Sequence, residues 1–121
     1  MNPAPICYLE IPAPNIEAAG SFYSSVFGWK ITPSDLTNKK YWEFSTGDSG
    51  LTGGLDSSKS TQFNGGVILY LKVEDIDLTL IKIKEFGGSV LRSKFDIGSG
   101  YGCSAIFNDP NGNTLGLYAA K

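Results

Sequence analysis

The sequence predicts an α+β fold in which two βαβββ modules form a curved mixed sheet around a cleft, with the helices outside. Three observations predict it: an internal repeat, strand-type alternation at the start of each copy, and a helical pattern that follows each strand. In the repeat, Ile6–Ile11 aligns with Ile68–Val73, and Gly50–Leu55 aligns with Gly112–Leu117, both at an offset of 62 residues. An internal repeat fixes the architecture that every later motif must fit.

The length and composition predict one domain over residues 1–121. A chain of 121 residues that is 41% hydrophobic can bury a core of its own. We place the two modules at about residues 5–56 and 67–119. The polar, glycine-rich segment 57–66 is expected to link them.

Several classes of protein are disfavoured by the composition. A net charge of −2 without a run of basic residues argues against a nucleic-acid partner. No segment has the roughly 20 apolar residues that a membrane span needs, and the first residues do not resemble a secretory signal. Cys7 and Cys103 lie in apolar strand patterns, which favours buried thiols over a disulfide. We therefore expect a cytoplasmic protein.

The first module is predicted to open with a strand over Pro5–Ile11, because its apolar side chains alternate. Alternation places Leu9 and Ile11 on the face that packs against a helix. Tyr8 and Glu10 then lie on the opposite face. Three more strands are expected after the helix, over Trp29–Thr32, Lys40–Thr46 and Leu51–Leu55.

The first helix is predicted to run from an N-cap at Asn15 to about Phe27, with Gly28 as its stop. In the second module, Asp75 is the predicted N-cap and Gly87-Gly88 the predicted end. The strands expected in that module lie over Val67–Val73, Ser89–Lys94, Gly102–Asn108 and Asn113–Ala119. The segments Gly47–Gly50 and Asp109–Gly112 have the composition of hairpin turns, and we assign no other role to the second of them.

Three segments carry a resemblance to a known family. They are Ile11-Pro12 leading to Phe22–Trp29, Val73–Ile76 and Asp109–Asn113. Together they resemble the vicinal oxygen chelate superfamily, which includes glyoxalase I, extradiol dioxygenases and bleomycin-resistance proteins, over roughly Ile6 to Tyr118. The resemblance implies paired βαβββ modules, in agreement with the pattern of strands and helices.

In metal-using members of that superfamily, His, Glu or Gln ligands project from the first and last strand of each module. Carried over by the resemblance, these positions fall at Ile6, Gly54, Ile68 and Gly116, none of which offers a side-chain donor. The chain also contains no histidine, the commonest ligand for a transition metal. We therefore expect no metal and no other cofactor, as in the metal-free branch of the family.

Metal-free binding proteins of the superfamily sequester antibiotics in aromatic-lined clefts of a dimer. By this resemblance we expect a homodimer that binds a small apolar or aromatic molecule. The candidate ligand-binding residues are Tyr8, Glu10, Trp42, Tyr70, Lys72 and Tyr118. Alternation does not decide whether Trp42 or its neighbours on the strand face the cleft. Glu10 and Lys72, at repeated positions, are expected to pair with each other, to orient a polar ligand group, or to lie solvated at the strand ends.

Two alternatives remain. The protein can be a lyase or isomerase that uses Glu10 or Glu43 as base, with an atypical metal or none. It can also be an interaction module with an empty or closed cleft. A nucleophilic Ser-His or Cys-His pair is excluded, because there is no histidine.

Overall fold

The computed structural model describes residues 3, 6–34, 40–47, 50–60 and 67–121. The predicted start of the first strand at Pro5, the middle of the first hairpin turn and linker residues 61–66 lie outside the described residues. Module 1 contains β1 (Tyr8–Pro12), α1 (Ile16–Phe27), β2 (Lys30–Thr32), β3 (Tyr41–Ser45) and β4 (Thr52–Asp56). Module 2 contains β5 (Tyr70–Lys72), α2 (Ile76–Glu85), β6 (Ser89–Asp96), β7 (Cys103–Asn108) and β8 (Thr114–Ala119).

Both modules have the same sheet topology, so the predicted pair of βαβββ units is confirmed. The strand orders are β1-β4-β3-β2 and β5-β8-β7-β6. The first and last strands of each module run parallel, and the remaining pairs are antiparallel. Neither helix in the described residues is long and apolar enough to span a membrane.

The two helices begin where the sequence predicts. The side-chain oxygen of Asn15 accepts a hydrogen bond from the Ala18 amide at 3.1 Å, and Asp75 caps α2 in the same way. These bonds satisfy amides that a helix leaves unpaired in its first turn. Gly28 ends α1 in the left-handed region at φ 70°, a conformation that glycine adopts without steric cost.

One continuous core joins the two modules. The fully buried Phe22 of α1 lies 6.1 Å from Phe107 of β7, measured between ring centroids. Trp29 is stacked between Tyr23 and Phe44, at 4.6 Å from each ring centroid. The core is therefore built from the helix-facing side of both sheets, and the opposite sheet faces do not contribute to it.

The turn that begins at Asp109 also makes hydrogen bonds to module 1, whereas the sequence analysis assigned it no role beyond the turn. The Asp109 carboxylate is 3% exposed and accepts hydrogen bonds from the Tyr23 hydroxyl at 2.9 Å and from the Asn113 side chain at 2.8 Å. Asn113 also donates to the carbonyl of Pro12 at 2.7 Å, and Asn111 accepts from the Asn15 amide at 2.7 Å. The turn thus bonds module 2 to the start of α1 and the end of β1.

The repeat does not keep one offset throughout. Glu10 lies opposite Gly54 in module 1, and Tyr70 lies opposite Gly116 in module 2. The two glycines are 62 residues apart as predicted, but Glu10 and Tyr70, which occupy equivalent places, are 60 apart. The helix caps Asn15 and Asp75 are also 60 apart, so the two-residue difference arises after the helix begins.

This register corrects the predicted equivalence of Ile6 and Ile68. The structural counterpart of Ile68 is Tyr8, two residues beyond Ile6. Ile6 itself precedes β1 and is 70% exposed. Both alignments match the helix-facing apolar residues with apolar residues, since Leu9 falls on Leu71 in one and on Leu69 in the other. Only the pairing with the last strand distinguishes the two alignments.

Candidate functional site

Strand β3 turns Trp42 away from the predicted cleft. Trp42 lies opposite Leu55 of β4, on the side that packs against α1. A Cβ added at Gly20 of α1 would come within 2.9 Å of the Trp42 ring. The prediction that Trp42 lines a ligand cleft is therefore wrong. The residues that alternate with it, Tyr41 and Glu43, face the other side.

The sheet face opposite the helix in module 1 is called here the open face of module 1; its residues are Tyr8, Glu10, Tyr41, Glu43 and Gly54. A chain of hydrogen bonds crosses it. The Tyr8 and Tyr41 hydroxyls are 2.6 Å apart, and Tyr41 donates to Glu10 Oε2 at 2.9 Å. Lys59 donates to the other carboxylate oxygen at 2.8 Å.

These contacts fix the protonation of the two central groups. Hydrogen bonds from Lys59 and then from Tyr41 lower the pKa of Glu10, so its carboxylate is ionised and weakly basic. Burial, and then the hydrogen bonds to Tyr8 and Glu10, raise the pKa of Tyr41 well above its ordinary range. Tyr41 therefore remains a neutral phenol. The sequence-based suggestion that Glu10 pairs with Lys72 is wrong, since its cationic partner is Lys59.

Tyrosine rings cover both glycines that stand at family ligand positions. A Cβ at Gly54 would overlap the Tyr41 ring, and a Cβ at Gly116 would lie 2.5 Å from the Tyr70 ring. A longer side chain at either glycine cannot project from the sheet unless the ring moves. In the described residues there is also no group of three or more His, Cys, Asp or Glu side chains that could hold a metal ion. The residues at these positions do not fit a metal centre of the family type.

The sheet face opposite the helix in module 2 is the open face of module 2; its residues include Tyr70, Lys72, Arg92, Phe95, Ser104, Gly116 and Tyr118. Tyr70 is 54% exposed, and Lys72 lies opposite Tyr118 across the parallel strand pair. The Tyr118 hydroxyl donates to the carbonyl of Tyr101 at 2.7 Å. Arg92 donates to Ser104 Oγ at 2.9 Å.

The charges of the two open faces are opposite in sign. The side chains of Glu10 and Glu43 give module 1 an acidic face, although Lys59 neutralises Glu10 in part. Lys72 and Arg92 give module 2 a basic face. No hydrogen bond or ion pair joins the two faces in the part of the chain that the structure describes.

A cavity of about 670 Å³ lies between the modules, beside the edge strand β5. Its walls are largely apolar, and it has a volume typical of small-molecule sites. The residues that line it include Leu9 and Phe27 from module 1 and Leu71 and Leu78 from module 2. Tyr70 and Lys72 line it too, so these two predicted residues belong both to an open face and to this cavity.

The structure thus divides the predicted site residues into three groups. Tyr8 and Glu10 lie on one open face, Tyr70, Lys72 and Tyr118 on the other, and Trp42 is packed against α1.

Sequence reasoning missed Tyr41 and Arg92 on these faces, and Lys59, which bonds to one of them through Glu10. Strand alternation made Tyr41 one of two choices for β3. Lys59 follows the last strand of its module, and Arg92 lies between two register shifts, so no periodic pattern indicated either.

Comparisons with known proteins agree with this architecture. The profile of the Glyoxalase/Bleomycin resistance protein/Dioxygenase superfamily matches residues 6–117. A glyoxylase-like domain-containing protein of Didymella fabae is 31% identical over 110 residues, which are 88% of this chain and 86% of that protein.

Solved structures of low sequence identity share the fold. The fosfomycin resistance protein FosX of Listeria monocytogenes has a TM-score of 0.78 at 17% identity, over 100% of this chain and 94% of that one. An enzyme of the same superfamily from Burkholderia phytofirmans PsJN has a TM-score of 0.76 at 16% identity, over 98% and 100% of the two chains. This chain belongs to the glyoxalase/bleomycin resistance protein/dioxygenase superfamily.

Proposed function

We propose that the protein binds a small, partly aromatic or apolar molecule on its open faces, without metal-dependent catalysis of the glyoxalase or dioxygenase type. The observation that carries the proposal is the cover of tyrosine rings over Gly54 and Gly116. Where metal-using relatives would place ligand side chains, this chain presents flat aromatic surface. Tyrosine suits such a role, because its ring buries apolar area while its hydroxyl bonds polar groups.

The exposure of the tyrosines supports this proposal. Tyr8 is 42% exposed and Tyr70 is 54% exposed, so neither residue is buried in the core. Tyr70 also lines the cavity between the modules. A ligand held against Tyr70 would extend from the open face of module 2 towards that cavity, with Lys72 beside it.

The enzymatic alternative is a lyase or isomerase with Glu43 as its base. Glu43 is exposed and lies opposite Gly54. Glu10 is the weaker candidate, because Lys59 and Tyr41 occupy its oxygens and lower its pKa. A general base works best when its pKa lies near the working pH, and a lowered value moves Glu10 away from it.

The proposal is tested by a thermal-shift screen with divalent metals, hydrophobic antibiotics and metabolites. A molecule that binds only the native state raises the melting temperature. We expect hits among aromatic and apolar compounds, and none among Zn, Ni, Mn or Fe salts. Elemental analysis of protein purified without chelator should accordingly give no stoichiometric metal.

Two results contradict the proposal. One is about one metal per chain together with a ligand response that chelation abolishes. The other is a screen in which no aromatic or apolar compound shifts the melting temperature, which would favour a module with a closed cleft.

A further inference from the structure

Strand β6 presents Arg92, the only arginine of the chain, on the open face of module 2. Val90 lies opposite the core residue Phe107, and Arg92 lies opposite Ile106, only one residue away on β7. Residues two apart in a regular strand share a face, so Val90 and Arg92 would both point to the core. The register shift between them turns Arg92 to the open face instead.

A second register shift brings an aromatic ring to the same place. Phe95 lies opposite Ser104 and is three residues from Arg92, a separation that puts residues of a regular strand on opposite faces. Here they share one face: Arg92 Cζ lies 5.0 Å from the centroid of the Phe95 ring. Bulges that re-aim side chains in this way are over-represented beside active sites.

One nitrogen of the guanidinium group has no acceptor. Arg92 Nη2 donates to Ser104 Oγ at 2.9 Å, whereas Nη1 is shielded from solvent and has no hydrogen-bond partner. A buried donor without an acceptor is destabilising, more so when it carries charge. Arg92 as a whole is only half-buried, so part of the residue remains accessible to solvent although Nη1 does not.

We propose that Arg92 anchors a carboxylate subsite on the open face of module 2, and that the ligand is an aromatic acid. A carboxylate matches the planar donor geometry of arginine and can accept two parallel hydrogen bonds from it. Phe95 and Tyr118 supply aromatic surface on the same face, whereas Tyr70 and the positive charge of Lys72 lie on β5, at the other edge of the sheet. This inference rests on the proposed function, because it specifies the chemistry of the molecule bound there.

Benzoate is the probe, and benzamide, which has the same shape without the charge, is its neutral control. Because the chain has one arginine, its side-chain Nε–H signal can be followed without ambiguity in an NMR titration. We expect benzoate to shift that signal and to bind about tenfold more tightly than benzamide.

Two variants locate the effect. Arg92→Lys keeps the charge but loses the two-pronged donor, and should weaken benzoate about tenfold. Lys94→Gln removes a charge from the same strand, where Lys94 lies 3.9 Å from Asp77 of α2, and should leave benzoate affinity unchanged.

Equal affinities for benzoate and benzamide, or equal losses in the two variants, would overturn the carboxylate subsite while leaving aromatic binding intact. Absence of benzoate binding at millimolar concentrations would overturn it as well. If circular dichroism shows that Arg92→Lys does not fold, the subsite is tested on wild-type protein by chemical modification of its arginine. Protection of the single guanidinium from phenylglyoxal by benzoate supports the subsite, and absence of protection contradicts it.

Discussion

At the scale of single residues, the two glycines at positions that the resemblance assigns to metal ligands each lie beneath a tyrosine ring. Gly54 and Gly116 stand at equivalent places, yet the rings that cover them come from different strands. Tyr41 reaches Gly54 from the antiparallel neighbour β3, and Tyr70 reaches Gly116 from the parallel neighbour β5. Tyr41 is held by hydrogen bonds to Tyr8 and Glu10. The cover over Gly54 is therefore the more rigid of the two.

Alanine at the two glycines should reveal this difference. Gly54→Ala should lower the free energy of unfolding by about 1–3 kcal/mol, because the new methyl group overlaps a ring that cannot move without losing its hydrogen bonds. Gly116→Ala is the matched control and should cost less, since the exposed Tyr70 ring can rotate into solvent. Denaturant titration of both variants measures the effect. A larger loss in Gly116→Ala would contradict this account.

The open-face tyrosines should contribute directly to ligand affinity. Once a ligand is found, Tyr8→Ala and Tyr70→Ala should each weaken its binding by roughly 1–3 kcal/mol if their rings are buried against it. Leu78→Ala tests the cavity between the modules, because Leu78 lines it, is 53% exposed and lies away from both open faces. Affinities are measured by calorimetry. If only Leu78→Ala weakens binding, the ligand site lies in that cavity and not on the open faces.

At the scale of elements, the turn between β7 and β8 connects the two modules. The Asp109 carboxylate accepts hydrogen bonds from Tyr23 on α1 and from Asn113, and the backbone amides of Asn111 and Asn113 donate to its other oxygen. Four donors on one buried carboxylate specify both the shape of the turn and its contact with the other module.

Removing that carboxylate should destabilise the protein. Asp109→Ala leaves the buried Tyr23 hydroxyl without an acceptor, and we expect a loss of about 2–4 kcal/mol in the free energy of unfolding. Tyr23→Phe removes one donor and should cost only about 1 kcal/mol. If Asp109→Ala unfolds no more easily than Tyr23→Phe, the turn does not hold the modules together.

The same group gives a pH dependence of known sign. Burial raises the pKa of Asp109 above its ordinary value of 3.8, despite hydrogen bonds that act in the other direction. The folded protein therefore holds this proton more tightly than the unfolded chain does. The resulting stabilisation is complete below the ordinary pKa and is lost as the pH rises through the raised value. Asp109→Asn, which cannot ionise, should lack this decline in stability as the pH rises above the ordinary pKa of 3.8.

At the scale of the whole molecule, the helix-facing sides of both sheets form the core, and the described residues of the open faces lie outside it. Their charges are complementary, with Glu10 and Glu43 on one face and Lys72 and Arg92 on the other. Opposite potentials favour association of the face of one chain with the other face of a second copy. A two-fold axis would then form two such pairs, and symmetric dimers are the commonest oligomers.

We therefore predict a homodimer whose clefts draw residues from both chains. Sedimentation at micromolar concentrations should give a particle of about twice the 13.0 kDa chain mass. High salt should weaken the dimer, because exposed charges are screened. A particle of single-chain mass at low salt would show that the two open faces do not pair.

The internal repeat and its alternation determined much of this protein without the structure. They predicted the order of strands and helices, the caps at Asn15 and Asp75, and the helix-facing apolar residues of each sheet, because these features follow from local periodicity and capping chemistry. The absence of histidine and the glycines at Gly54 and Gly116 were also visible in the sequence.

Only the tertiary structure decided what surrounds those glycines. Strand pairing moved the first-strand alignment by two residues and made Tyr8 the counterpart of Ile68, because register depends on the partner strand and not on the strand itself. Trp42 packs against Gly20 of α1 and therefore does not line the predicted cleft. Two register shifts in β6 place Arg92 and Phe95 on one face of the sheet. Each outcome depends on contacts between residues distant in the chain, which periodicity within one segment does not encode.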